Sequence, residues 1–152
     1  MGSFKQLAVF VARVCLSAIF LIAAFAHIAD FDGMESGLTN ALYSISEHSG
    51  GVMWVQRAVE ELVPWTMLLS VVSIALLVVG GSLVLLGIKY RFGALLLILF
   101  LLPTTVIMHH FYFLLGPDRQ MQAAMFWKNI AILGGLLLLA TYPQATSSRE
   151  DF

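Results

Sequence analysis

Four stretches of the chain are apolar over about a membrane thickness: Leu7 to Ile28, Pro64 to Gly87, Phe92 to Leu115 and Gln122 to Tyr142. A helix needs about 20 such residues to cross a hydrocarbon core roughly 30 Å thick. None of the four alternates with the period of two that a barrel strand would show, and a backbone in lipid must satisfy its own hydrogen bonds. The pattern therefore predicts an all-α membrane protein, a bundle of four transmembrane helices.

The stretch from Ala29 to Val63 is the one long connection. Leu38, Leu42 and Ile45 recur at helical spacing, Ser49-Gly50-Gly51 breaks the pattern, and Val52, Val55 and Val59 resume it. Two short amphipathic segments lying on the bundle's end follow from that spacing. Pro64 either starts the second membrane helix or kinks one begun near Met53. Two tight links, Ile88 to Arg91 and Gly116-Pro117-Asp118-Arg119, predict antiparallel hairpins between helices two and three and between helices three and four. Lipid supplies no hydrophobic drive between helices, so small residues mark where they meet. Ser73, Gly80 and Gly87 form one such stripe, and Ala131 with Gly134 or Gly135 another. We read residues 1–145 as a single domain and 146–152 as a short cytoplasmic tail.

Of the 152 residues, 60% are hydrophobic and 11% charged, and the net charge is −1. No basic patch is left for nucleic acid, and lipid is the first partner. Cys15 is the only cysteine, so the chain can form no internal disulfide and carries no C-x-x-C pair. Lys5, Lys89, Arg91 and Arg149 fall on one side of the predicted membrane, with only Arg57 and Arg119 opposite. By the positive-inside rule both termini are cytoplasmic. The long connection is then extracytoplasmic, and it is acidic, with Asp30, Asp32, Glu35, Glu47, Glu60 and Glu61.

Ionisable groups inside a membrane helix cost about 2.5 to 3.5 kcal/mol at its centre, so each needs a reason. Arg13, His27, His109, His110 and Lys128 qualify. Arg13, Phe20 and His27 are spaced by sevens and share the face of helix one that points into the bundle, while Arg13 is also close enough to the inner boundary to snorkel. His109 and His110 lie about 27 Å along helix three from Arg91, and Lys128 enters helix four near the same outer level. One reading makes these residues an interfacial girdle, rimmed by Trp54, Trp65, Tyr112 and Trp127. The preferred reading is a small polar pocket formed by His109, His110, Lys128 and Asn129, with His27 and Trp127 contributing. Lys128 and Asn129 sit side by side in an otherwise apolar helix, and the two histidines precede them across a short hairpin. No metal is expected, because adjacent histidines lack the i, i+4 spacing that brings two imidazoles to one ion and Lys128 would repel a cation. A cation, imidazoles, an amide and an indole suit a planar carbonyl-bearing molecule such as a quinone headgroup.

Several of these residues also carry a resemblance. Arg13 lies early in helix one, and Val79-Gly80-Gly81-Ser82-Leu83-Val84-Leu85-Leu86-Gly87 is followed by Arg91. His109-His110-Phe111-Tyr112 is followed by Phe126-Trp127-Lys128-Asn129 and by Gly134-Gly135-Leu136-Leu137-Leu138-Leu139-Ala140. In these features the chain resembles the DoxX family of small bacterial inner-membrane proteins. The resemblance implies a four-helix bundle with both ends cytoplasmic. Relatives include the membrane subunit of an archaeal thiosulfate:quinone oxidoreductase and a component of a mycobacterial oxidoreductase complex, which implies redox work at a quinone-bearing membrane. His27 departs from the family's pattern, where a lysine usually follows a glycine-rich turn. The expected function is a redox-associated subunit that binds a quinone or similar molecule and relies on a membrane or soluble redox partner. A non-catalytic assembly protein and a small transporter are the alternatives, and homo-oligomerisation is compatible with each.

Overall fold

Gly87 and Gly116 take the left-handed conformation at helix boundaries in the computed structural model, which describes the backbone of residues 2–141 and the side chains from Phe4 onward. The tail expected at 146–152, with Arg149, lies outside the described residues, as does Tyr142. The helices are α1 (Gly2–Ala29), α2 (Phe31–His48), α3 (Met53–Leu62), α4 (Thr66–Leu86), α5 (Tyr90–Met108) and α6 (Gly116–Thr141). Among the described residues four helical spans are long and apolar enough to cross a membrane: Phe4–Ala29, Met53–Leu86, Tyr90–Phe113 and Gly116–Thr141. The large side chains on their outward faces, among them Ile22, Phe25, Leu99 and Leu138, are exposed, as lipid-facing residues should be.

The long connection is helical for most of its length. Asp30 stops α1 and caps α2, its Oδ1 accepting the Gly33 N–H at 3.0 Å. The α2 helix ends at Ser49, where Gly50 (φ 66°) and Gly51 (φ 81°) take the left-handed conformation. The α3 helix then runs through a 3₁₀ turn at Val63–Trp65 into α4, with Pro64 in the turn, where its missing N–H costs little. The two amphipathic segments are thus α2, which lies across one end of the bundle against α4, α5 and α1, and α3, the lead-in to α4. We call that the capped end. At the opposite end Gly87 (φ 74°) closes α4 and Lys89 (φ 45°) opens α5, the tight turn expected there.

The second hairpin differs from the expectation. α5 stops at Met108 and not at Leu115, the link comprises residues 109–115, and Gly116 to Arg119 forms the first turn of α6. Side chains end α5. The imidazole Nδ1 of His110 donates to the Ile107 carbonyl at 2.8 Å and the Tyr112 hydroxyl to the Val106 carbonyl at 2.9 Å. Two carbonyls left over in the last turn are thereby satisfied without further helix. His109 (φ −120°, ψ 52°) and His110 (φ −78°, ψ 49°) are not helical, so helix three, on which the sequence placed them, ends just before them.

The four spans pack in the order α1, α4, α5, α6, with α1 and α6 meeting least. A Cβ on Gly80 would press on the Gly93 carbonyl, and one on Gly93 would press on the Gly80 carbonyl. The α4 and α5 backbones are therefore in contact, as small-residue packing in lipid requires. Gly81 gives room to Leu21 of α1. On α6 it is Gly135 that faces α1, meeting Leu16, whereas a Cβ on Gly134 would touch nothing within 4 Å. Leu77, Leu97 and Leu136 are fully buried between the helices, and Phe20 meets Phe100 edge to face at 6.5 Å.

A candidate ligand cavity under the α2 cap

Leu16 and Gly135 close the seam between α1 and α6, and toward the capped end the two helices part. There a cavity of about 700 Å³ opens. Phe20 and Ala23 of α1, Phe100, Leu101 and Ile107 of α5 and Ile132 of α6 make its apolar walls. α2 roofs it with Gly33, Met34, Gly37 and Leu38. Gly37 has nothing within 4 Å of where its Cβ would be, so its missing side chain is part of the space. The volume falls in the range of about 300 to 1,000 Å³ common for small-molecule sites, and the mostly apolar lining with a few polar groups is also typical of them.

Several of those polar groups have no hydrogen-bonding partner among the described residues. Asn129 is only 7% exposed, lines the cavity, and its side-chain amide makes no hydrogen bond among the described residues. Lys128 follows on α6, and among the described residues its ammonium meets only the Met125 sulfur at 3.3 Å, a weak acceptor. His27 and the hydroxyls of Ser73 and Thr104 also line the cavity without partners among the described residues. Several hydroxyls elsewhere on the helices are satisfied, although that of Ser70 is buried with no partner among the described residues. Ser17 donates back to Val14 at 3.2 Å, Thr105 to Leu101 at 2.6 Å and Thr141 to Leu137 at 2.9 Å, the ordinary way a helix quiets a hydroxyl. Pro103, on the same wall, deprives the Leu99 carbonyl of its helical donor.

The structure thus brings together His27, His109, Lys128 and Asn129 and sets two of the sequence-derived site residues apart. His110 is 7% exposed and points to α2, where the Ser44 hydroxyl lies 3.0 Å from its Nε2. With Nδ1–H committed to the Ile107 carbonyl, Nε2 is left to accept from Ser44, and both ring nitrogens are used in latching the cap to the α5–α6 link. Trp127 is 62% exposed and packs edge to face on Phe126 at 5.5 Å, in a chain of rings that includes Phe111, Tyr112 and Phe113. Trp127 and Asn129 are two positions apart, about 200° around the helix, so the indole faces outward. Glu60 and Glu61 are exposed on α3, and no three histidine, cysteine or carboxylate side chains gather into a metal-sized group among the described residues.

Sequence reasoning missed Gln122, Thr104, Asp30 and the two α2 glycines. Gln122 Oε1 lies 2.7 Å from His109 Nδ1, a contact across the link that no spacing announces. Gly33 and Gly37 did carry a signal: two glycines one turn apart inside a helix are costly unless the space is used. Arg13 occupies a separate place. Its guanidinium rests on Gly87 at the C-terminal end of α4, where a Cβ would collide with it, and its Nε is buried without a partner.

A family model described as DoxX matches residues 8–110. The match runs from α1 through His110 and stops short of α6, the helix that carries Lys128 and Asn129. No curated protein and no solved structure matches the chain.

Proposed function

The chain belongs to the DoxX family, and on that premise we propose that it is a redox-associated subunit of a bacterial inner membrane, with both termini cytoplasmic. It binds a quinone or a similar carbonyl-bearing molecule in the cavity under α2. The observation that carries this reading is the unpartnered amide of Asn129 on the wall of a 700 Å³ space. An amide that faces a mostly apolar space with no protein partner costs up to about 1 to 3 kcal/mol by mutational measures unless a water or an occupant bonds to it. A protein keeps such a group where an occupant supplies the missing hydrogen bond. Beside it, Lys128 offers a positive charge to a carbonyl or phenolate oxygen, and the apolar walls of α1 and α5 suit a ring and a hydrocarbon tail.

The chain has no cofactor motif and a single cysteine, exposed on α1. Electrons would therefore come from a partner protein, and the acidic cap, where Asp32, Glu47, Glu60 and Glu61 are exposed, is the surface it would dock on. The test is native mass spectrometry with lipid extraction on protein purified mildly from its own membrane. Wild type should retain a quinone that a correctly folded Lys128→Ala variant loses. If neither carries quinone and both carry the same stoichiometric protein, the reading gives way to an assembly role.

A further inference from the structure

The donors and acceptors facing the cavity are not interchangeable. Gln122 Oε1 lies 2.7 Å from His109 Nδ1. A carboxamide oxygen only accepts, so the ring proton sits on Nδ1, and in that tautomer Nε2 is a bare acceptor. His109 lines the cavity and Gln122 does not, so the ring is held by its far edge. No donor among the described residues serves Nε2. On the α6 wall the polarity is reversed, because Lys128 offers only N–H donors, while the amide of Asn129 can both donate and accept.

A headgroup bearing only carbonyl oxygens satisfies Lys128 and Asn129 but sets a lone pair against a lone pair at His109. A headgroup bearing a hydroxyl donates to Nε2 and still accepts from Lys128. Resting on the reading of the cavity as a small-molecule site, we propose that it selects the hydroxyl-bearing, reduced form of its ligand, a hydroquinone or related phenol, over the fully oxidised quinone. Gln122 is the positioning residue that sets this selectivity, through the tautomer of His109. The other charged or titratable groups facing the site are His27 and Asp30 at the α1–α2 junction and Lys128 on α6. They are the same for every probe compared below.

The experiment measures binding to the full chain in detergent at about pH 8, where an ordinary imidazole is neutral. Three probes share one decyl-substituted dimethoxy-methyl ring: the benzoquinone, its hydroquinone under anaerobic conditions, and the hydroquinone dimethyl ether, which has no O–H. The hydroquinone should bind about tenfold more tightly than either of the others, the scale of one buried hydrogen bond. Gln122→Leu should shrink that ratio to about threefold or less with quinone affinity little changed. Nitrogen-15 spectra of the His109 ring should show the Nδ1–H tautomer in wild type and a mixture in Gln122→Leu, a readout independent of any ligand. Equal or tighter binding of the quinone, or of the ether, would overturn the selectivity and leave the site standing. Failure of all three probes to bind would remove the site itself and the selectivity with it.

Discussion

Asn129→Leu tests whether the cavity is shaped for an occupant or for folding, because the two alternatives predict opposite signs. Were the amide an ordinary interhelical hydrogen-bonding group, its removal would destabilise the bundle by about 0.6 kcal/mol, and by up to roughly 1.7. Among the described residues it has no partner to lose. In the detergent-unfolded state the amide is wetted, and folding carries it to a 7% exposed position with no partner among the described residues, at a cost of up to about 1 to 3 kcal/mol. Leucine has no such cost, and the adjoining 700 Å³ has room for its methyl groups. The ligand-free variant should therefore be more stable than wild type by about 0.5 to 2 kcal/mol, while its affinity for the hydroquinone probe falls about tenfold or more. Sodium dodecyl sulfate titration of the delipidated protein, followed by tryptophan fluorescence, reads the first quantity. Leu77→Ala serves as the control that the assay senses the core: that side chain is fully buried, and its truncation should cost about 2 to 5 kcal/mol. A destabilised Asn129→Leu would show that the amide is part of the fold's own bonding, and the argument for a ligand built on it would fail.

Three further substitutions probe the scaffold that holds the cavity. Gly87→Ala meets both a left-handed backbone (φ 74°) and the Arg13 guanidinium, so it should lower stability by about 1 to 3 kcal/mol; an unchanged denaturation midpoint would mean the turn relaxes freely. Gly93→Val should separate α4 from α5 and cost more than about 2 kcal/mol, while Gly134→Ala, with nothing within 4 Å, should be neutral or slightly stabilising. Equal effects from these two would contradict the packing order. Ser44→Ala removes the hydroxyl that serves His110 Nε2, so amide hydrogen exchange in α2 should quicken by about an order of magnitude, for a loss of roughly 1 kcal/mol, with α4 and α5 unaffected. Uniform exchange rates in wild type and variant would show that the latch does not hold the cap.

What the sequence determined by itself was whatever lipid imposes on a local stretch of chain. About twenty apolar residues in a row must become a helix whatever surrounds them, so the four spans were legible, as was the α4–α5 turn. The break at Ser49-Gly50-Gly51 was local too, since glycine is the residue that accepts the left-handed conformation taken there. Lys128 and Asn129 announced themselves because a cation and an amide are expensive in an apolar helix. The tertiary structure decided where side chains point once the helices meet. His109 and His110, adjacent in sequence, face different neighbours because the imidazole of His110 and the hydroxyl of Tyr112 bond to the carbonyls of Ile107 and Val106 as α5 ends. Gly135 rather than Gly134 meets α1 because rotation about the α6 axis, which periodicity leaves open among neighbouring residues, is set by the contact with Leu16. The cavity belongs to no single segment. It exists because α1 and α6 part beyond Leu16 and Gly135, and because α2, whose lateral position no helical period encodes, comes to lie over the gap.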